Sequence, residues 1–311
     1  MKEMNDMNVE MYGVGMSSTI FVMVDYLDKY AEEHTGLMIL DSGSQDSFLY
    51  PITADLLAES SHIKDETICV HTITDEVVKV GVVNFSFAMG GNLFKEKFCV
   101  STENNCPYTS DVPIIGIIGN KFMQKHNLVI DYSTYTFHTS KVNTSNLSMS
   151  DYEFFFPMDI VSSDYYKLPL LSIRQNGNDV ITLADTGASS NIIASQSLAD
   201  NHFIYVRSLD KNTISGLASS SVQVEEVSIH FNLLTMKDGD LGELNHHADF
   251  FTLPYYICAP NEGDKDENGN EIPPIGAIVG SPFMSKQGWV LDFGAKIIYK
   301  LRKDVELKEA I

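Results

Sequence analysis

The chain has 311 residues, 44% of them apolar and 20% charged, which suits one large domain or two of ordinary size around a sizeable core. A formal net charge of −21 argues against unaided binding to nucleic acid or an anionic membrane, since both polyanions would repel it. No stretch approaches the ~18 apolar residues needed to span a bilayer. The opening MKEMNDMNVEMYGVG lacks a basic segment followed by an apolar one, so a cytoplasmic location is expected, export remaining open for a trimmed chain.

In chain order, STIFVMVDYL (18–27) reads as a first strand, and PITADLLAES (51–60) as a short helix. VVKVGVVNFSFAMGGNLFKEKFCV (77–100) reads as two β-branched and aromatic runs about a Gly-Gly turn. Two helical turns are expected at NKFMQKH after Gly119. HTSKVNTSNLSMSDYE (138–153) has no periodicity and reads as a linker. LPLLSIRQNGNDVITLAD (168–185) is a hairpin turning at Asn176-Gly177. Short helices follow at ASQSLAD (194–200) and SPFMSKQ (281–287), and KDVELKEAI (303–311) is a possible closing helix. The expected class is all-β with minor helix.

Three blocks recur in the same order. GLMILDSGSQDSFL (36–49) matches VITLADTGASSNII (180–193), and TITDEVVKVGVVNFSF (72–87) resembles TISGLASSSVQVEEVSIHF (213–231). IIGIIGNKFMQKHNLVIDYSTYTF (114–137) matches IGAIVGSPFMSKQGWVLDFGAKIIY (275–299). This is a duplication. The second copy is 17 residues longer between its Asp and Gly markers. The excess is expected partly in a longer hairpin at 215–220 and mostly in the acidic stretch APNEGDKDENGNEIPP (259–274).

A single Asp-Thr/Ser-Gly after a strand is ordinarily a turn. Two copies in a duplicated chain imply more, because equivalent residues near a pseudo-twofold axis meet each other. Asp41 and Asp185 would then face one another. Gly43 and Gly187 permit a sharp turn close to the partner half. Ser42 and Thr186 can bond across the axis to the opposite backbone. Two carboxylates this close hold one proton between them, and so can activate a water while polarising a carbonyl.

These residues closely resemble those of the aspartic proteases. The signature is apolar-apolar-Asp-Thr/Ser-Gly-Ser/Ala, followed by Ile117-Ile118-Gly119 and Ile278-Val279-Gly280. Both copies carry the retropepsin-like form Gly-x-x-Phe-Met-x-Lys-x-x-x-Val-x-Asp, and the resemblance covers about residues 17–301. It implies two pseudo-twofold-related, retropepsin-like β-barrel lobes in one chain. Their bounds are 17–138 and 154–302, with a linker at 139–153 and a tail at 303–311. It also implies an aspartic endopeptidase that hydrolyses peptide bonds with Asp41 and Asp185 as catalytic residues. Ser42, Gly43, Ser44, Thr186, Gly187 and Ala188 would support the active-site loops. The alternative is a catalytically idle or highly substrate-restricted peptide-binding module. The expected partner is a peptide or protein substrate, with no nucleic acid, membrane, cofactor or metal, and the chain is expected to act as a monomer.

In that family a β-hairpin closes over the substrate. Candidate tips are Thr74, Asp75, Glu76 and Val77 in the first copy, and Ser215, Gly216, Leu217 and Ala218 within 215–220 of the second. Neither has the tyrosine of a pepsin flap. At the one differing position of the two loops, Ser44 has a hydroxyl and Ala188 has none. A hydroxyl bonded to its carboxylate would make Asp41 the ionised member and Asp185 the proton carrier.

Other features are read as structural. The run from Asp264 through Asp266, Asn268 and Gly269 echoes a calcium loop, but its twelfth position is Ile275 rather than a bidentate glutamate, so it reads as a solvated acidic hairpin. His246-His247 has no companions at metal-ligand spacing and reads as surface histidines. Trp289 is expected in a core or a subunit contact. Cys69, Cys99, Cys106 and Cys258 form no CxxC pair and read as free thiols, a Cys99–Cys106 bridge remaining possible in an exported chain.

Overall fold

The computed structural model describes residues 6–13, 19–71, 77–102, 108–140, 151–158, 168–215, 221–237, 240–258, 265, 269 and 271–302. The architecture is all-β with a few short helices, arranged in three sheets.

Two of the sheets close on themselves, and they do so in the same way. In the first copy a ring of six strands runs Ile20–Leu27, Glu33–Asp41, Ile114–Gly119, Phe48–Leu49, Asn92–Val100 and Val77–Met89, which pairs back to Ile20–Leu27. The second copy repeats the order with Leu170–Gln175, Asn178–Asp185, Ala277–Gly280, Ile192–Ala194, Asp240–Leu253 and Ser221–Lys237. In each ring the middle strand passes between the two arms of the aspartate loop. Alternation sets the faces: Leu37 and Ile39 point into one cluster with Phe21 and Phe48, while Met38 and Leu40 point into the main core.

The third sheet joins the copies. Its centre pairs Leu128–Asp131 with Val290–Asp292, Val129 lying opposite Asp292 and Asp131 opposite Val290. Those residues are repeat equivalents, so the pairing is reciprocal, as expected of contacts across a twofold axis. Trp289 is buried just before this strand, stacked on Phe154 and edge-on to Phe283. The third sheet extends beyond the expected bounds. Asn8–Glu10 pairs with Thr136–Thr139, and Met7 and Met11 are core residues, although residues before 17 lay outside the first expected domain. Tyr152–Pro157 pairs with Ile297–Leu301, so a strand begins inside the expected linker. The expected closing helix at 303–311 lies outside the described residues.

Local expectations translate directly. Asn176 and Gly177 both take positive φ, closing a two-residue hairpin between Gln175 and Asn178. Pro51–Leu56, Asn120–Lys125, Ser195–Asp200 and Ser281–Gln287 are the short helices. The extra length of the second copy falls only partly where expected. The gaps 72–76 and 216–220 are equal, so the hairpin at 215–220 is not the longer one. Pairing Phe48 with Cys99 and Ile192 with Phe251 puts eight of the 17 extra residues in the hairpin Ser221–Lys237/Asp240–Leu253. Its lengthened arm lies over Tyr152–Pro157, where buried Thr235 donates to the Phe155 carbonyl (2.8 Å) and accepts from its N–H (3.1 Å). The other nine fall in the segment containing 259–274.

Candidate active site

Asp41 and Asp185 are the last residues of Glu33–Asp41 and Asn178–Asp185. Each strand lies parallel to the one that ends in the repeated glycine, pairing Asp41 with Gly119 and Asp185 with Gly280. The chain then enters a short helix whose first N–H holds the aspartate loop: Asn120 N–H donates to Ser44 O (2.8 Å), and Ser281 N–H to Ala188 O (2.9 Å).

The two loops are interlocked. Thr186 Oγ1 accepts from Ser42 N–H (3.0 Å) and donates to Leu40 O (2.7 Å). Reciprocally, Ser42 Oγ accepts from Thr186 N–H (3.0 Å) and donates to Ala184 O (2.6 Å). Both hydroxyls are fully buried, so every polar group in this exchange is paired. The loops approach so closely that a Cβ on Gly43 would collide with the Asp185 carboxyl, and one on Gly187 with the Asp41 carboxyl.

The two carboxyl groups share a hydrogen bond, and each residue retains partial exposure. Burial pushes Asp41 well above the usual carboxylate range, assisted by the charge of Asp185 and by the shared bond. Burial raises Asp185 too, but the Asp41 carboxyl and the N–H groups of Gly187 (2.9 Å), Ala188 (3.2 Å) and Gly43 favour its charged form. The pair shares one proton, and the N–H groups gathered on Asp185 favour charge there. The expectation that the Ser44 hydroxyl holds Asp41 in its charged form fails on geometry. The Ser44 hydroxyl donates to Asp46 O (2.8 Å), and only its backbone N–H reaches Asp41 (2.9 Å), so the hydroxyl does not stabilise that carboxylate.

Ser47 and Asn191, not singled out from the sequence, complete the loops. Each lies six residues after its aspartate and accepts the N–H of the crossing glycine, Gly119 to Ser47 Oγ at 3.0 Å and Gly280 to Asn191 Oδ1 at 2.9 Å. The available signal was a short polar residue at the same place in both repeats.

The candidate flap tips fall largely outside the described residues. Thr74, Asp75, Glu76, Gly216, Leu217 and Ala218 lie there. The strand ends that bracket them are paired, His71 with Val77 and Ser215 with Ser221. Of the acidic stretch, the backbone of Lys265 pairs antiparallel with that of Glu271, and Ile275 is fully buried opposite Cys258. Asp264, Asp266 and Asn268 lie outside the described residues. Cys99 is a buried free thiol, and burial pushes it up to about 11. Of the two histidines expected at the surface, His247 is exposed but His246 is half-buried. Its ring packs on Phe231 and Phe283, its Nε2 is buried without a partner, and burial lowers its proton affinity. Asp28, Glu32 and His34 lie within metal-ligand reach of one another. Asp28 is already committed to the N–H groups of Tyr30 and Glu32 and to the His34 ring, which makes it the clasp of a hairpin turn.

No helix among the described residues is long and apolar enough to cross a membrane. Comparison with known proteins gives no matching family model and no match among the curated proteins.

Proposed function

We propose that the chain is an aspartic endopeptidase of the retropepsin-like kind, with two homologous lobes in one chain forming an internal pseudo-dimer. The observation that carries this reading is the reciprocal site. Two half-buried, hydrogen-bonded carboxyls face each other at the ends of equivalent strands, clamped by crosswise hydroxyl bonds.

In this mechanism a water lies between the carboxyls. The Asp185 carboxylate accepts its proton as the water attacks the peptide carbonyl carbon. The protonated Asp41 donates to the carbonyl oxygen, giving a neutral gem-diol. Proton transfer from Asp185 to the leaving nitrogen then accompanies C–N cleavage, with Asp41 recovering a proton from the gem-diol. The dyad is restored and no covalent enzyme intermediate forms. The hairpins ending near 72–76 and 216–220 serve as flaps over an extended peptide.

The test is cleavage of a peptide library across acid to neutral pH, with Asp41→Asn and Asp185→Asn as controls. Cleavage that either substitution abolishes is the expected result. Activity surviving either one would sink the shared-dyad mechanism, and peptide binding without cleavage would favour an idle binding module.

A further inference from the structure

The two halves of the site are not braced alike. Below the second aspartate loop, the Tyr132 hydroxyl lies 2.6 Å from Ser281 Oγ, both residues being buried. Tyr132 follows the Leu128–Asp131 strand of the first copy, whereas Ser281 opens the helix after Gly280 in the second. Ser281 N–H holds the Ala188 carbonyl at 2.9 Å, and Ala188 N–H donates to Asp185 Oδ1 at 3.2 Å. A continuous path thus leads from one copy to the other copy's carboxylate.

Among the described residues the first loop has no hydroxyl pair of this kind. Phe293 occupies the repeat position of Tyr132 and has no hydroxyl to offer, and Asn120 occupies that of Ser281. Asn120 Oδ1 accepts from the Gln124 side chain, within its own helix (3.1 Å).

We propose that Tyr132 is a positioning residue for Asp185: its bond to Ser281 fixes Ala188 so that the Ala188 N–H stays on the carboxylate. This rests on the proteolytic reading for its consequence in catalysis, but not for its effect on titration. Burial keeps Tyr132 a neutral hydroxyl, so the brace persists across the working pH range. The charged or titratable groups that bear on Tyr132 and Asp185 are Asp41, Tyr135 and each other. A carboxylate that loses a donor gains proton affinity. Loosening the brace should therefore raise the first ionisation of the pair.

The test is carbon-13 NMR titration of the aspartate carboxyls in the full chain, comparing wild type with Tyr132→Phe, Ser281→Ala and the double variant. Phenylalanine is the natural occupant of the equivalent position 293, which makes Tyr132→Phe conservative. The expected result is a rise of roughly half a unit in the lower dyad ionisation for each single variant, with no further rise in the double. In peptide cleavage, kcat should fall about threefold at acidic pH with KM unchanged. An unchanged titration overturns the proposal, as does a lowered melting temperature with titration and kcat intact, which would mark a purely structural bond. Tyr135→Phe, at the neighbouring exposed tyrosine, should leave the titration where it is; an equal shift there would also overturn it. If wild type cleaves no peptide, the proteolytic reading fails, while the titration still decides the role of Tyr132.

Discussion

Ser42 and Thr186, 144 residues apart, exchange backbone-to-side-chain hydrogen bonds of 3.0 Å in both directions. Each hydroxyl then passes its proton bond to a carbonyl preceding the partner's aspartate. The reciprocity is what aligns the two carboxyls, since each loop is positioned by the other.

Replacing Ser42 with alanine leaves Thr186 N–H and Ala184 O buried without their partner. A loss of about 2–4 kcal/mol is expected from these two groups. Chemical denaturation of wild type and Ser42→Ala measures it, and the variant should lose most peptide cleavage because Asp41 and Asp185 are no longer held in register. A loss below about 0.5 kcal/mol would show that the interlock does not carry the stability of this site.

Gly187→Ala tests the close approach. The added methyl group runs into the Asp41 carboxyl, and backbone of both loops would have to separate to admit it. Overpacking of this kind costs about 1–3 kcal/mol, and the displaced dyad should be inactive even where the chain folds. Thermal unfolding and cleavage assays on the same preparation separate the two effects. Near-wild-type activity would contradict the geometry.

Burial raises Asp41 well above its unfolded value of 3.8. Below 3.8 both states hold the proton and its contribution to stability is fully present. As pH rises from there toward the folded value, the unfolded chain releases the proton first and stability falls. Asp41→Asn removes this penalty. The variant should therefore melt higher than wild type at neutral pH, with the difference closing as pH is lowered toward 3.8. A gap independent of pH would argue against a protonated Asp41.

His246 titrates with the opposite consequence. It lies opposite Phe231, as Phe94 lies opposite Phe87 in the first copy, and it packs on Phe283 as Phe94 packs on Phe122. Burial lowers its proton affinity below the ordinary 6.5, with Lys300 adding to the effect and Glu153 opposing it. Below 6.5 the unfolded chain takes up a proton that the fold resists, so stability falls as pH falls through that range. His246→Phe should flatten the acid side of the melting-temperature profile. An unchanged profile would mean that His246 protonates without cost in the fold.

Much of this was legible because the chain states its pattern twice. The aspartate loops, crossing glycines and following helices align residue for residue, and the Asn176-Gly177 turn is dictated by two left-handed positions. The position of the extra residues was not legible, since length alone cannot distinguish a longer hairpin loop from longer paired arms. Nor was the burial of His246: a histidine in an alternating strand faces core or solvent according to register, and only pairing with Phe231 sets it. The N-terminal strand was missed because Asn8–Glu10 has little pattern of its own and is ordered by Thr136–Thr139.

By itself the sequence determined the all-β class, the duplication, and two aspartates at equivalent strand ends, because strand periodicity, turn chemistry and repetition are local or self-referring properties. Tertiary structure decided which donors reach each aspartate. The Ser44 hydroxyl, which pointed to Asp185 when read along the chain, turns away to the Asp46 carbonyl. Donors assembled from several loops favour charge on Asp185 instead. Proton affinity follows from burial and from the direction of hydrogen bonds, and neither exists until the two copies meet.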